Sequence, residues 1–342
     1  MKIRDASCVV PDSALRGPDS LRIARKAQFS VFENAFVSGS KRIDLAHGQR
    51  LQSGCVYSEH RKVDFSERRG GSAGDTLVDF NPWHLPPSRT ANYVRGRHFY
   101  LGHLFAHYGH FITEGLSCLW PLLGRVDAAD FDGFVLQLPA MYVPRAVKPF
   151  QRELWNVFGI RPSDILHVEE GTVFESLAVP ERAIWMNAAH FSEMDGVYER
   201  LRRTFAPALP SRRRLYLSRS KQENRSIPFE QAVESLFEKS GFDVVFPELL
   251  SAPQQISLFG AASVVAGFSG SQLHNIVFTR PGTTLIELAD MRSRDRPLLM
   301  QRICNEIAQS TSSTVAYILA DESLADYLGR LERDALNGVA SI

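Results

Sequence analysis

Cysteine is scarce and scattered. The four residues, Cys8, Cys55, Cys118 and Cys304, lie far apart and form no CxxC pair. Zinc ribbons and dithiol redox chemistry are therefore not expected, and reduced thiols are. No run approaches the roughly 18 apolar residues that a spanning helix requires. The N-terminal MKIRDASCVVPDSALRG has no secretory apolar core. A cytoplasmic protein is expected. No basic amphipathic helix is evident for membrane docking, but peripheral association at the inner face of a membrane stays open. Charge of one sign is missing too: 39 Lys and Arg oppose 38 Asp and Glu, for a net charge of +1. Nucleic acid is not expected as a partner. Internal repeats and long low-complexity segments are absent. A GxGxxG with an acid about 20 residues later is absent as well, which argues against a Rossmann dehydrogenase.

What remains is an ordinary globular composition, 44% hydrophobic and 23% charged over 342 residues, long enough for two domains. Basic clusters at 212–214 and 292–296 leave a local anionic ligand open. Residues 1–92 read as an N-terminal extension with short strands at 29–36 and 50–57 and a turn-rich connector from 66 onward. From Arg97 the pattern is α/β. Strands are expected at 98–101, 134–138, 165–168 and 172–179, and helices at 106–123, 143–158 and 191–205. The Pro- and Arg-rich segment near 206–213 marks a boundary, giving a first lobe over 93–208 and a second over 209–342. A closing helix is expected at 323–336.

The stretch from 241 to 290 alternates strand and helix, with strands at 242–246, 263–267 and 284–288 and helices at 251–262 and 273–278. Such alternation implies parallel pairing with helix-covered faces. Two α/β lobes facing a cleft suit a ligand at the carboxyl ends of strands. Between the second strand and its helix runs GFSGSQLHN. A glycine-rich turn at a helix N-terminus presents amides and a positive dipole end to a phosphate. Ser269, Gly270, Ser271, Gln272, His274 and Asn275 are the candidate donors there. The same residues would also serve as plain capping groups.

Three constellations carry chemistry. His110 and Glu114 stand four apart, on one helix face. An imidazole steadied by a carboxylate is a good proton acceptor near neutral pH, although a structural helix-start pair would look the same. His103 and His107 crowd the region and rank lower. Arg219 leaves the expected strand 214–218, and Arg225 follows before a helix opening near Pro228. Two arginines on one loop can clamp a diphosphate, or simply form a solvated basic loop. Glu287 ends a buried strand and suits a ribose or sugar hydroxyl, or a neighbouring cap. Pro247 and Glu248, after the strand at 242–246, are candidates to meet a base and its ribose.

Taken together, the stretches 108–114, 216–225 and 267–287 resemble glycosyltransferase family 61. Its pattern joins a YGHW-like helix start and glutamate, a YxSR strand with a downstream arginine, and a GxxGxxLxNxxFxxPGTxxxE core. Order and spacing agree over roughly 190 residues. Phe111 stands where tryptophan is common. Gly270-Ser271-Gln272-Leu273-His274-Asn275 replaces a GAGLTN-like run, and Phe268 or Ser269 replaces an early histidine. The donor sugar therefore stays open.

The resemblance implies a GT-B fold of two Rossmann-like lobes, inversion at the anomeric carbon, and no obligatory metal or cofactor. A nucleotide-diphosphate sugar is the expected co-substrate, a UDP-sugar first. A glycan or lipid-linked saccharide is the expected acceptor, in surface polysaccharide synthesis. His110 would be the base and Glu114 its orienter, with Arg219, Arg225 and the 267–275 loop on the diphosphate. The rival reading is a nucleotide- or glycan-binding protein without turnover, in a polysaccharide assembly complex.

Overall fold

The computed structural model describes residues 20–39, 42–44, 50–52, 55–59, 61–66, 75–76, 92–137, 147–169, 171–206, 212–222, 227–290, 293, 298–319 and 321–336. The chain divides into two compact units, Met1–Val197 and Tyr198–Ile342.

The first unit is built on a seven-stranded mixed sheet. Its strands are β1 (Phe29–Val37), β2 (Val56–Ser58), β3 (Arg61–Lys62), β4 (Asn92–His103), β5 (Gly133–Gln137), β6 (Ile165–Val168) and β7 (Thr172–Pro180). They lie in the order β3-β2-β1-β7-β4-β5-β6. Pairing is parallel from β7 through β4 and β5 to β6, and antiparallel from β7 through β1 and β2 to β3. β5, GFVLQ, is buried at every position, as a parallel strand paired on both sides and covered on both faces should be. The segment read as an extension thus contributes three strands to this sheet, β1 pairing with β7 along nearly its whole length. Towards its end β4 becomes fully buried, and its register against β5 slips between Tyr100 and Gly102. Gly102 has φ +83, a conformation that favours glycine, and such a slip re-aims the residues that follow.

The single helix expected over 106–123 is instead broken. A turn of α-helix, α1 (Tyr108–His110), passes into a π turn (Phe111–Gly115), and a 3₁₀ turn follows at Trp120–Leu123. Local chemistry explains the break. Thr113 Oγ1 donates to Gly109 O at 2.8 Å and Ser117 Oγ to Glu114 O at 2.5 Å, so hydroxyls compete with amides for carbonyls. Pro121 then offers no amide at all. Helix α2 (Pro149–Asn156) begins at a proline, tolerated in a first turn. The expected start at 143 lies outside the described residues. Helix α3 (Glu193–Phe205) contains the division between the units.

The second unit is a five-stranded parallel sheet of β8 (Arg213–Leu217), β9 (Asp243–Val245), β10 (Ala262–Phe268), β11 (Thr284–Leu288) and β12 (Thr311–Val315). The order is β9-β8-β10-β11-β12. Helices α4 (Glu230–Lys239), α5 (Ala252–Gly260), α6 (Leu299–Ala308) and α7 (Leu324–Leu331) alternate with these strands or follow them. Tyr216, Val264, Ala266 and Ile286 from the strands join Val233 and Phe237 of α4 and Tyr327 and Leu331 of α7 in one core. Ser251 starts α5 with a capping box: Gln254 N donates to Ser251 Oγ at 3.3 Å, and Ser251 N donates to Gln254 Oε1 at 2.8 Å.

The protein is thus mixed α/β, consistent with two Rossmann-like lobes. Among the described residues no helix is long and apolar enough to cross a membrane.

Candidate functional site

In the second unit the chain runs from β8 to β9 on one side and then returns to β10 on the other. Strand order therefore reverses between β8 and β10, and open α/β sheets bind ligands outside the carboxyl ends at such a switch point. Arg219, two residues past β8, lies across these ends and is only 3% exposed. Its Nη1 donates to Ser269 O at 3.3 Å and stands 3.7 Å from Asp290 Oδ2. The guanidinium carbon sits 5.7 Å from the centre of the Phe268 ring. Arg219 N donates to Glu230 Oε1 at 2.8 Å, and burial raises the Glu230 carboxyl above its ordinary value.

A hydroxyl relay ties the next two strand ends together. Ser293 Oγ donates to Ser269 Oγ at 2.7 Å, and Ser269 Oγ donates to Glu287 Oε1 at 2.6 Å. Burial pushes the Glu287 carboxyl up; the Ser269 hydrogen bond opposes this and the Asp290 charge adds to it. Asp290 N donates to Ser293 Oγ at 2.9 Å, so the relay also fixes the residue facing Arg219.

The predicted amide donors mostly turn to the backbone. Gln272 Nε2 donates to Leu217 O at 3.2 Å and to Phe268 O at 3.3 Å, stitching the ends of β8 and β10. Asn275 is fully buried, and its Nδ2 donates to Gln255 Oε1 at 3.0 Å. Gln255 Nε2 in turn donates to Pro247 O at 2.9 Å. Asn275 therefore steadies, through Gln255, the 3₁₀ turn Pro247–Leu249. In that turn Pro247 is buried and Glu248 exposed.

The helix expected after the loop is a 3₁₀ run, Ser271–Phe278, whose first amides lack intrahelical acceptors by geometry. Ser271 and His274 are half-buried. Gly270 is extended, with φ 163, so its backbone makes no special demand for glycine. Gly267 does face one, because a Cβ there would meet Leu217 O at 3.0 Å. Arg219, Ser269, Gly270, Ser271, Gln272 and Glu287 thus share one edge of the sheet. Arg225 lies outside the described residues.

In the first unit, the residues after β4 place His110 at the end of α1. Its Nδ1 is 2.8 Å from Glu114 Oε2, with side-chain exposures of 34% and 1% respectively. A carboxylate on Nδ1 fixes the proton there and leaves Nε2 as the accepting nitrogen. The Phe105 ring stacks on His110 at 5.9 Å, and His107 meets it edge-on at 5.6 Å. His103 is buried, with Nδ1 2.5 Å from Arg182 Nη2.

Arg182 is a residue that sequence reasoning missed. It is 2% exposed, and its Nη1 approaches Glu114 O at 3.5 Å. A Cβ on Gly102 would come within 2.5 Å of Arg182 Nη2. That glycine was the signal available, but it stands far from Arg182 in sequence.

A parallel sheet with a buried arginine at its switch point, and a carboxylate-steadied imidazole beyond the end of a parallel strand in the first unit's sheet, mark an α/β protein with two candidate sites. Residues 108–286 match the family model of glycosyltransferase 61. The match covers just over half of the 342 residues, and the chain belongs to that family. Membership makes it a glycosyltransferase, moving a sugar from a donor to an acceptor. The matched stretch opens on the first residue of α1 and closes inside β11. No curated protein matches the chain.

Proposed function

We propose that the chain is an inverting, metal-independent glycosyltransferase of the GT-B type. It takes a sugar from a nucleotide-diphosphate donor, a UDP-sugar first, and passes it to a hydroxyl of a glycan or lipid-linked saccharide. Surface polysaccharide synthesis is the setting we favour. The observation that carries the reading is Arg219, a cation only 3% exposed, laid over the ends of β8 and β10 within reach of the Ser269 carbonyl.

Transfer is one in-line displacement: the acceptor oxygen bonds to the anomeric carbon as the bond from that carbon to the diphosphate oxygen breaks. His110 Nε2 takes the acceptor proton, and Glu114 holds the imidazole in the tautomer that can do so. The electron pair leaves with the diphosphate. Arg219 and the opening amides of the 271–278 run stabilise that charge, the task a metal performs in other transferases.

Two variants test the assignment together. Arg219→Ala is expected to weaken nucleotide binding by roughly 10- to 100-fold, the worth of a hydrogen bond to a charged group. His110→Ala is expected to keep that binding and lose about 10²- to 10⁴-fold in turnover. Wild-type affinity in the first variant, or wild-type turnover in the second, removes the residue from the mechanism.

A further inference from the structure

We propose that Tyr317 is a further donor-site residue, its hydroxyl donating to a diphosphate oxygen beside Arg219. The inference rests on reading the carboxyl edge of the second sheet as the nucleotide-sugar site. Tyr317 lies outside the matched stretch 108–286, so the family pattern does not point to it.

Position comes first. Arg219, Asp290 and Tyr317 each stand two residues past the end of a strand, after β8, β11 and β12 respectively. All five strands are parallel, so the three residues emerge on one edge. Ala289 N donates to Val315 O at 2.9 Å, which keeps the chain leaving β11 beside the end of β12.

The side chains then run towards each other. Arg219 reaches from β8 across the end of β10 to Asp290 beyond β11. Tyr317 reaches back from β12, with its ring 6.0 Å from Phe229, the residue just before α4. Phe229 lies 6.2 Å from Phe268, the ring over which the Arg219 guanidinium sits. Arginine and tyrosine are thus linked through the Phe268 and Phe229 rings at this edge.

The phenol is placed to donate. Its backbone is held, since Arg330 Nη2 donates to Tyr317 O at 3.3 Å while pairing with Glu322 at 2.6 Å. Tyr317 is half-buried, and among the described residues its hydroxyl makes no hydrogen bond. Burial raises the phenol above its ordinary value; Asp290 adds to this and Arg219 opposes it. It therefore keeps its proton at neutral pH. A protonated phenol beside a guanidinium offers a neutral donor and a cationic one to the same anion.

The test uses the full chain, with inorganic pyrophosphate and UDP as probes in calorimetric titrations. Tyr317→Phe keeps the ring on Phe229 and removes only the hydroxyl, so an unchanged melting temperature is expected. Affinity for both probes should fall about tenfold, as for one hydrogen bond to a charged group. Arg219→Ala is run alongside. Wild-type affinity in Tyr317→Phe together with loss in Arg219→Ala overturns the inference and leaves the nucleotide reading standing. Wild-type affinity in Arg219→Ala, or no binding of either probe by the wild type, overturns both.

Discussion

Gly267→Ala tests whether the switch point is as closely built as its contacts indicate. Gly267 pairs with Leu217 across β8 and β10. An added methyl would sit 3.0 Å from Leu217 O, 3.2 Å from Leu217 Cβ and 3.4 Å from Leu273 Cδ2. Carbon–oxygen contacts between strands normally keep about 3.3–3.6 Å, so the methyl arrives roughly 0.3–0.6 Å too close. The carbonyl cannot easily give way, because it belongs to a paired strand and also accepts from Gln272 Nε2. Overpacking of this kind costs about 1–3 kcal/mol. Alanine recovers about 0.5–1 kcal/mol by losing less backbone entropy than glycine. The expected net loss is roughly 0–2.5 kcal/mol, centred near 1 kcal/mol, or up to about 10 °C in melting temperature for a unit of this size. Thermal denaturation followed by circular dichroism measures it, with pyrophosphate titration as a second readout, because parting β8 from β10 also moves Arg219 relative to Ser269. A variant that melts above the wild-type temperature would show that the two strands have slack, and the close-approach argument would fail.

Two other perturbations follow from buried charge. Glu287→Gln keeps an oxygen for Ser269 and removes a carboxylate whose folded value burial lifts above the ordinary 4.5. A raised acid loses stability as pH rises through the window above its unfolded value, so the variant's advantage should be absent below about pH 4.5 and grow above it. Melting temperatures of both proteins across pH check the sign, and an advantage that shrinks with rising pH would contradict it. Arg25 forks the buried Glu181 carboxylate at 2.7 and 2.8 Å. Arg25→Ala should cost about 3 kcal/mol, the lower end of the ~3–5 expected for removing one partner of a buried pair, because the arginine itself is 30% exposed and Gln28 N still donates to Glu181 Oε2 at 2.9 Å. Urea unfolding gives the value, and an unmoved midpoint refutes it.

Legibility in the sequence followed burial. The continuous apolar runs of β5 and β10 could be read directly, because parallel strands covered on both faces carry such runs. β12, TSSTV, escaped because four of its five residues are exposed, so nothing in its composition distinguishes it from a loop. The region 106–123 looked helical because its apolar residues are dense, while the hydroxyls of Thr113 and Ser117 act through contacts that periodicity does not register. Among the candidate site residues, the pairing of His110 with Glu114 was legible because four residues along a helix bring two side chains together whatever else the chain does. Gln272 and Asn275 were recognisable as donors, but their acceptors, Leu217 O and Gln255 Oε1, come from other segments. Ser269 and Glu287 meet only because β10 and β11 are neighbours, with Gly267 opposite Glu287.

The stretch that identifies the family is not a stretch that could stand alone. It begins after β4, which lies between β7 and β5 in the first sheet, and it ends two residues short of the end of β11. Val315, Tyr327 and Leu331, which close the second core, all lie beyond it. A protein trimmed to the recognisable window would expose both sheets along torn edges and collapse before any chemistry could be tried. Any exchange of the second unit between relatives should therefore carry its edge strand and closing helix along.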